Sequence, residues 1–171
     1  MSDLYLLIGG NQGDRLQLIQ SATDLIQQRV GSVAHFSPIY ETEPWGTFAE
    51  GEKVQGFLNQ ALEVRTSLSP LEALRECLSI EAELGRKRNL GGTTSKKRIY
   101  SSRPIDIDLI LYGQEVVNPP ELTLPHPRMH LRRFVLQPLS DIAPNIIHPI
   151  YDKSIIQLLA ICPDTSSCYC L

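Results

Sequence analysis

The run Arg103-Pro104-Ile105-Asp106-Ile107-Asp108-Leu109-Ile110-Leu111 constrains the fold more than any other part of this 171-residue chain. Its β-branched and aliphatic residues read as a strand. A strand alternates its faces with period two. Ile105, Ile107, Leu109 and Leu111 then turn into a core, and Asp106 and Asp108 turn together to the opposite face. Two carboxylates side by side repel each other and are costly to desolvate without positive charge between them. A hard divalent cation carrying phosphate oxygens meets that need. Asp is depleted in strands, so a merely solvated face is a poor explanation for two of them in one short strand.

Positive charge is concentrated just upstream. Arg86, Lys87, Arg88, Lys96, Lys97, Arg98 and Arg103 fall in a stretch with no acidic residue, although the whole chain carries a net charge of −3. That reversal implies an anionic partner for the loop, and the overall balance argues against a general nucleic-acid binder. The loop is rich in Gly, Ser and Thr, opens from a helix and closes onto the aspartate strand. Its arginines can fold over phosphates, as phosphoryl-transfer sites require.

The rest of the chain alternates strand and helix signals. Leu4-Tyr5-Leu6-Leu7-Ile8 is a continuous apolar run, the mark of a buried central strand, and Gly9-Gly10-Asn11 reads as a structural turn after it. Leu16, Ile19, Thr23, Ile26 and Val30 recur at helical spacing, with Gly31 as a stop. Residues 33–42 and 57–66 read as strands, and 43–56 as a long loop between them. Ser69, Pro70 and Glu72 open a second helix that runs to Leu84 and stops at Gly85. Residues 105–112 are the fourth strand, 132–139 have helical character, and Ser154 caps a last short helix. The order βαββαβ predicts a ferredoxin-like α+β fold, a mainly antiparallel sheet flanked by helices, in a single domain over 1–171. The last ~8 residues read as a loose tail.

Phe57 and Asn59 share one face of the third strand, opposite Leu58, Leu62 and Val64. An aromatic and an amide side by side can stack on and hydrogen-bond a planar heterocycle. His126, followed by Arg132 and Phe134, fits a phosphate contact. An RNA-binding module of this fold class would read bases with several aromatics on its sheet, and one strand aromatic is thin support for that. The four cysteines fit no zinc spacing, and free thiols suit a reducing cytoplasm. No signal-peptide pattern opens the chain, and no apolar run approaches the ~18 residues of a membrane span.

Several segments together resemble the 6-hydroxymethyl-7,8-dihydropterin pyrophosphokinase family. They are Leu6-Leu7-Ile8-Gly9-Gly10-Asn11, Tyr40-Glu41-Thr42-Glu43-Pro44-Trp45-Gly46, Phe57-Leu58-Asn59-Gln60-Ala61, Ile80-Glu81 with Leu84-Gly85-Arg86, the aspartate strand, and Leu124-Pro125-His126-Pro127-Arg128-Met129. The resemblance implies transfer of pyrophosphate from ATP to the pterin hydroxymethyl group, with release of AMP. It also implies that Asp106 and Asp108 hold two Mg²⁺ ions, and that Arg86 and Arg103 join them in catalysis. ATP would be bound by Glu81, Arg86, Arg88, Tyr100, Arg103, Leu109, Thr123, His126 and Arg132. The pterin would stack between Phe57 and Phe134, its edge read by Asn59 and by Thr42, Glu43 and Trp45. Where the family often has Trp-Gly-Pro-Arg, this chain has Tyr100-Ser101-Ser102-Arg103. The expected partners are ATP and the pterin, with no nucleic acid, no membrane and a single subunit in the cytoplasm.

Overall fold

The apolar run Leu4–Ile8 forms the centre of β1 (Ser2–Gly10), and it is covered on both faces. Leu4, Leu6 and Ile8 enter one core cluster, while Tyr5 and Leu7 enter another on the opposite face. The computed structural model describes residues 1–43, 55–85 and 104–171. After β1 come α1 (Arg15–Arg29), β2 (Ser32–Phe36), β3 (Tyr40–Thr42), β4 (Phe57–Thr66), α2 (Pro70–Glu83) and β5 (Asp106–Tyr112). Then follow α3 (Arg133–Ile142), α4 (Ile155–Ala160) and β6 (Cys168–Cys170). The sheet runs in the order β5-β1-β4-β3-β6, with β2 also beside β4, and every pairing is antiparallel. With β2 and β3 taken as one interrupted strand, this is the ferredoxin-like arrangement predicted from the element order.

Local chemistry explains the boundaries. Ser69 accepts the N–H of Glu72, and the Glu72 carboxylate accepts the N–H of Ser69 at 2.7 Å, so the predicted capping box is complete. Gly85, just past the C-cap Leu84, takes φ +102°, a conformation that strains side chains with a Cβ. Ser154 caps α4 in the same reciprocal way with Gln157.

Four expectations need correction. The strand expected over 33–42 is broken at Ser37-Pro38-Ile39. Pro38 has no N–H to donate, and the Ser37 hydroxyl instead accepts the N–H of Ala61 at 2.9 Å. Gly9 and Gly10 belong to β1 rather than to a turn, because β4 continues its ladder opposite them to Leu58. Leu111 leaves the face of Ile105, Ile107 and Leu109 and joins Ile110 in the opposite cluster. The cause is a bulge: Leu6 pairs with Leu109 and Tyr5 with Leu111, which leaves Ile110 as an extra residue that reverses the alternation. The C-terminal residues are not a loose tail, since β6 pairs with β3.

Helices α1 and α2 cover the Leu4–Leu6–Ile8 face. Helices α3 and α4 cover the other face around Tyr5, Leu7, Ala61 and Ile110. Beyond that second cluster, at the end of the same face, lie the aspartates and the amide-bearing strand.

Candidate active site

Strand register decides which side chains meet. Residues directly opposite in an antiparallel pair share a face. Asp106 is opposite Gly9, Gly9 is opposite Asn59, and Asn59 is opposite Tyr40. Asp108 is opposite Leu7, and Phe57 is opposite Thr42. Asp106, Asp108, Asn59, Phe57 and Thr42 therefore lie on one face. The backbones of Asp106 and Asn59 are two strand spacings apart, roughly 10 Å. Gly9 stands between them without a side chain. A Cβ there would come within 2.4 Å of the Leu58 carbonyl oxygen and 2.7 Å of Asn59 Oδ1. Glycine is what allows the Asn59 amide to lie against β1.

The amide is fixed at its other end. Asn59 is 5% exposed, and its Nδ2 donates to the Thr42 hydroxyl at 3.0 Å. The family resemblance assigned both residues to the pterin, and the fold brings them together. Phe57 is half-buried at the start of β4, and Glu43 is exposed just past β3. Two residues not expected from the sequence brace this side. Arg15 bonds both the Glu41 carboxylate at 3.0 Å and the Gly56 carbonyl at 2.8 Å, and Asn11 donates to the Gln55 carbonyl at 3.2 Å. No local pattern announces such contacts, because they join residues far apart in sequence.

Both aspartates are half-buried. Glu81, 1% exposed on α2, accepts the N–H of Ile107 at 2.8 Å. Ile107 sits between the two aspartates, so this bond holds the outer edge of β5 where the pair is mounted. Glu81 thus meets the strand backbone from the α2-covered side. Leu109, expected to line the nucleotide site, places its side chain in the core beneath α1 and α2. Cys77 lies in the same core, its thiol pushed up to about 12 by burial and then by the charges of Glu81, Glu76 and Asp108.

The segment after β5 returns to the aspartates. The N–H of His126 donates to the Ile110 carbonyl at 2.9 Å. His126 is held down to about 4 by burial and by Arg132 and Arg128, against an opposing pull from Asp106. It is neutral at pH 7. Its Nδ1 accepts the Arg128 N–H at 3.2 Å, so the ring proton belongs on Nε2, where it can be donated to an anion. Arg132 lies over the Phe134 ring, its guanidinium carbon 5.6 Å from the centroid. Phe134 is half-buried in the first turn of α3. Thr123 is exposed, and its hydroxyl donates to Asn118 at 3.3 Å. Arg86, Arg88, Tyr100, Arg103 and Trp45 lie outside the described residues.

The donor set suits one class of metal. Among the described residues, no third His, Cys, Asp or Glu completes a metal-holding cluster with Asp106 and Asp108. Two carboxylates alone fit Mg²⁺, which keeps several waters and is bound through one or two carboxylates plus substrate phosphates. Among the described residues, no helix is long and apolar enough to cross a membrane.

Comparisons with known proteins bear on the family and the fold. Residues 5–144 match the model of the family described as 7,8-dihydro-6-hydroxymethylpterin-pyrophosphokinase. The chain is 43% identical over 150 residues to the 2-amino-4-hydroxy-6-hydroxymethyldihydropteridine pyrophosphokinase of Porphyromonas gingivalis, covering 87% of this chain and 95% of that one. It is 37% identical over 153 residues to the protein of the same name from Aquifex aeolicus, covering 90% and 88%. Among solved structures, Plasmodium falciparum HPPK-DHPS with pteroate aligns with a TM-score of 0.70 at 16% identity. That alignment covers 93% of this chain and 42% of the Plasmodium chain, and it bears on the fold alone.

Proposed function

The chain belongs to the 7,8-dihydro-6-hydroxymethylpterin-pyrophosphokinase family, and from that premise we propose that it moves the pyrophosphoryl group of ATP to 6-hydroxymethyl-7,8-dihydropterin, in folate biosynthesis. The observation that carries the site assignment is the shared face of Asp106, Gly9 and Asn59. A cation-directed carboxylate pair and a heterocycle-directed amide stand two strand spacings apart, with β1 between them, at a distance that suits a pterin whose hydroxymethyl arm reaches toward phosphate.

Each residue then has a task. Asn59 and Thr42 read the pterin edge, and Phe57 and Phe134 stack on its ring. The hydroxymethyl oxygen attacks the β-phosphorus of ATP, its bond to phosphorus forms, the bond from that phosphorus to the α-phosphate oxygen breaks, and AMP leaves. Asp108 orients the hydroxyl and accepts its proton. Asp106 and Asp108 would hold Mg²⁺, two ions with ATP, and the metal would supply neutralisation of phosphate charge and polarisation of the phosphoryl oxygens. His126, through Nε2–H, and Arg132 contact the triphosphate, and Arg86, Arg88 and Arg103 add positive charge to it. The protein works as a single cytoplasmic subunit.

The test is turnover of ATP with the pterin and Mg²⁺, followed by identification of the nucleotide product. AMP is expected, and ADP refutes the reading. Asp106→Ala and Asp108→Ala should each cut turnover by roughly a thousandfold or more while leaving the fold intact. Full activity in either variant refutes the role of the pair.

A further inference from the structure

The C-terminal segment reaches both walls of the candidate pterin site. Strand β6 places Cys168 opposite Thr42 and Cys170 opposite Tyr40, and the N–H of Leu171 donates to the Ile39 carbonyl at 2.9 Å. Strand β3 is three residues long, and on its other side it pairs with the start of β4. A strand this short has few ladder bonds to set its position, and β6 adds the second set. What it sets is Thr42, the acceptor of the Asn59 amide.

Just upstream, Asp164 acts on the other wall. Its Oδ2 accepts the N–H of Arg133, the first residue of α3, at 3.0 Å. The start of α3 otherwise lacks a side-chain cap from Arg132 and has no acidic residue in its first turn. Exposed N–H groups at a helix start favour an anion, and here a carboxylate 31 residues away supplies it. The same carboxylate is held by Ser166, through its N–H at 2.9 Å and its hydroxyl at 2.5 Å. Phe134 is the next residue of α3. Strand β6 also packs against α3, so the two walls are joined by one segment. This segment lies beyond the 5–144 stretch that matches the family model.

We propose that residues 164–170 form a positioning element for the pterin. Strand β6 sets Thr42 and through it the Asn59 amide, and Asp164 sets the first turn of α3 and through it Phe134. The inference rests on the assignment of these residues to the pterin. Asp164 and Cys168 are positioning residues that act through Thr42 and Phe134.

The experiment measures binding of 6-hydroxymethyl-7,8-dihydropterin by calorimetry, with Mg²⁺ and a non-hydrolysable ATP analogue present. It is run where circular dichroism shows each variant folded. Asp164→Ala should raise the pterin Kd about fivefold, and Asp164→Asn should recover part of that loss, because its amide oxygen can still accept the Arg133 N–H although its NH₂ then faces Ser166. A chain ending at Ser167 should show a similar rise with unchanged affinity for the ATP analogue. If that shortened chain does not fold, the Ala–Asn comparison at position 164 decides alone. Unchanged pterin affinity in Asp164→Ala with only a lower melting temperature overturns the proposal and makes the segment a structural brace. Equal loss of pterin and nucleotide affinity in a folded shortened chain also overturns it. An unsubstituted chain that does not bind the pterin removes the pyrophosphokinase reading, and this inference with it.

Discussion

Gly9→Ala is the sharpest probe of the row Asp106–Gly9–Asn59. A Cβ at position 9 would sit 2.4 Å from the Leu58 carbonyl oxygen, and real Cβ atoms essentially never approach closer than 3.0 Å. Leu58 O is backbone, so it cannot rotate away, and β1 and β4 must part locally by about 0.6 Å, the difference between those two distances. These are the two central strands, in register from Ser2 opposite Thr66 to Gly10 opposite Leu58. Overpacking of this kind costs about 1–3 kcal/mol. For a chain of this size that lowers Tm by roughly 2–12 °C. The second contact, 2.7 Å to Asn59 Oδ1, involves a side chain that can turn. Turning it breaks the buried bond from Asn59 to Thr42. Returning the turned amide to its pterin-reading position then costs a net hydrogen bond, about 0.5–1.5 kcal/mol, which weakens pterin binding roughly 2- to 12-fold. Thermal unfolding and pterin titration of the same preparation measure both effects. A Gly9→Ala protein whose Tm stays within about 1 °C of the original would refute the close approach of β1 and β4. A lowered Tm with unchanged pterin affinity would refute the link between Gly9 and the amide.

Three further outcomes follow from the structure. His148, 1% exposed, is held below its ordinary 6.5 by burial and by His130. The unfolded chain therefore takes up a proton that the folded one refuses, so stability falls as pH drops below about 6.5. His148→Asn, whose amide oxygen can still accept the N–H groups of Ile150 and Tyr151, should flatten that fall in urea titrations at pH 7 and 5, and an identical slope contradicts the assignment. The Tyr40 hydroxyl donates to the Asp141 carboxylate and ties β3 to α3. Tyr40→Phe should therefore cost about 1.5–3 kcal/mol in chemical denaturation, and no loss would show that the bond is idle. Ser69→Ala removes one half of the capping box and should cost about 1 kcal/mol, with turnover at 25 °C unchanged; Ser69→Thr should recover most of it.

Local patterns were legible where neighbours in sequence decide the outcome. The capping box at Ser69 depends on residues three apart, and it formed as predicted. Strand β4 has its expected bounds because Leu58, Leu62 and Val64 alternate with the other face over ten residues. Asp106 and Asp108 share a face because the period of a strand is two, and no tertiary contact is needed to say so. The reversal at Leu111 was not legible, since a bulge arises from the pairing of β5 with β1. The tail was misread because three residues, Cys168 to Cys170, carry too little pattern to announce a strand; only the edge of β3 makes them one.

Taken alone, the sequence determined the βαββαβ order of the core, the pairing of the two carboxylates, and the family resemblance, since all three reside in short runs of residues. The tertiary structure decided which of those runs face one another. Register across β5, β1 and β4 set Asn59 two strand spacings from Asp106, with a glycine left bare between them. It turned Glu81 to the backbone of Ile107, buried Leu109, and brought Asp164 to the start of α3. Those placements depend on hydrogen bonds and packing between residues tens of positions apart. Their free energy is realised only once the sheet has assembled, and no short window of sequence contains it.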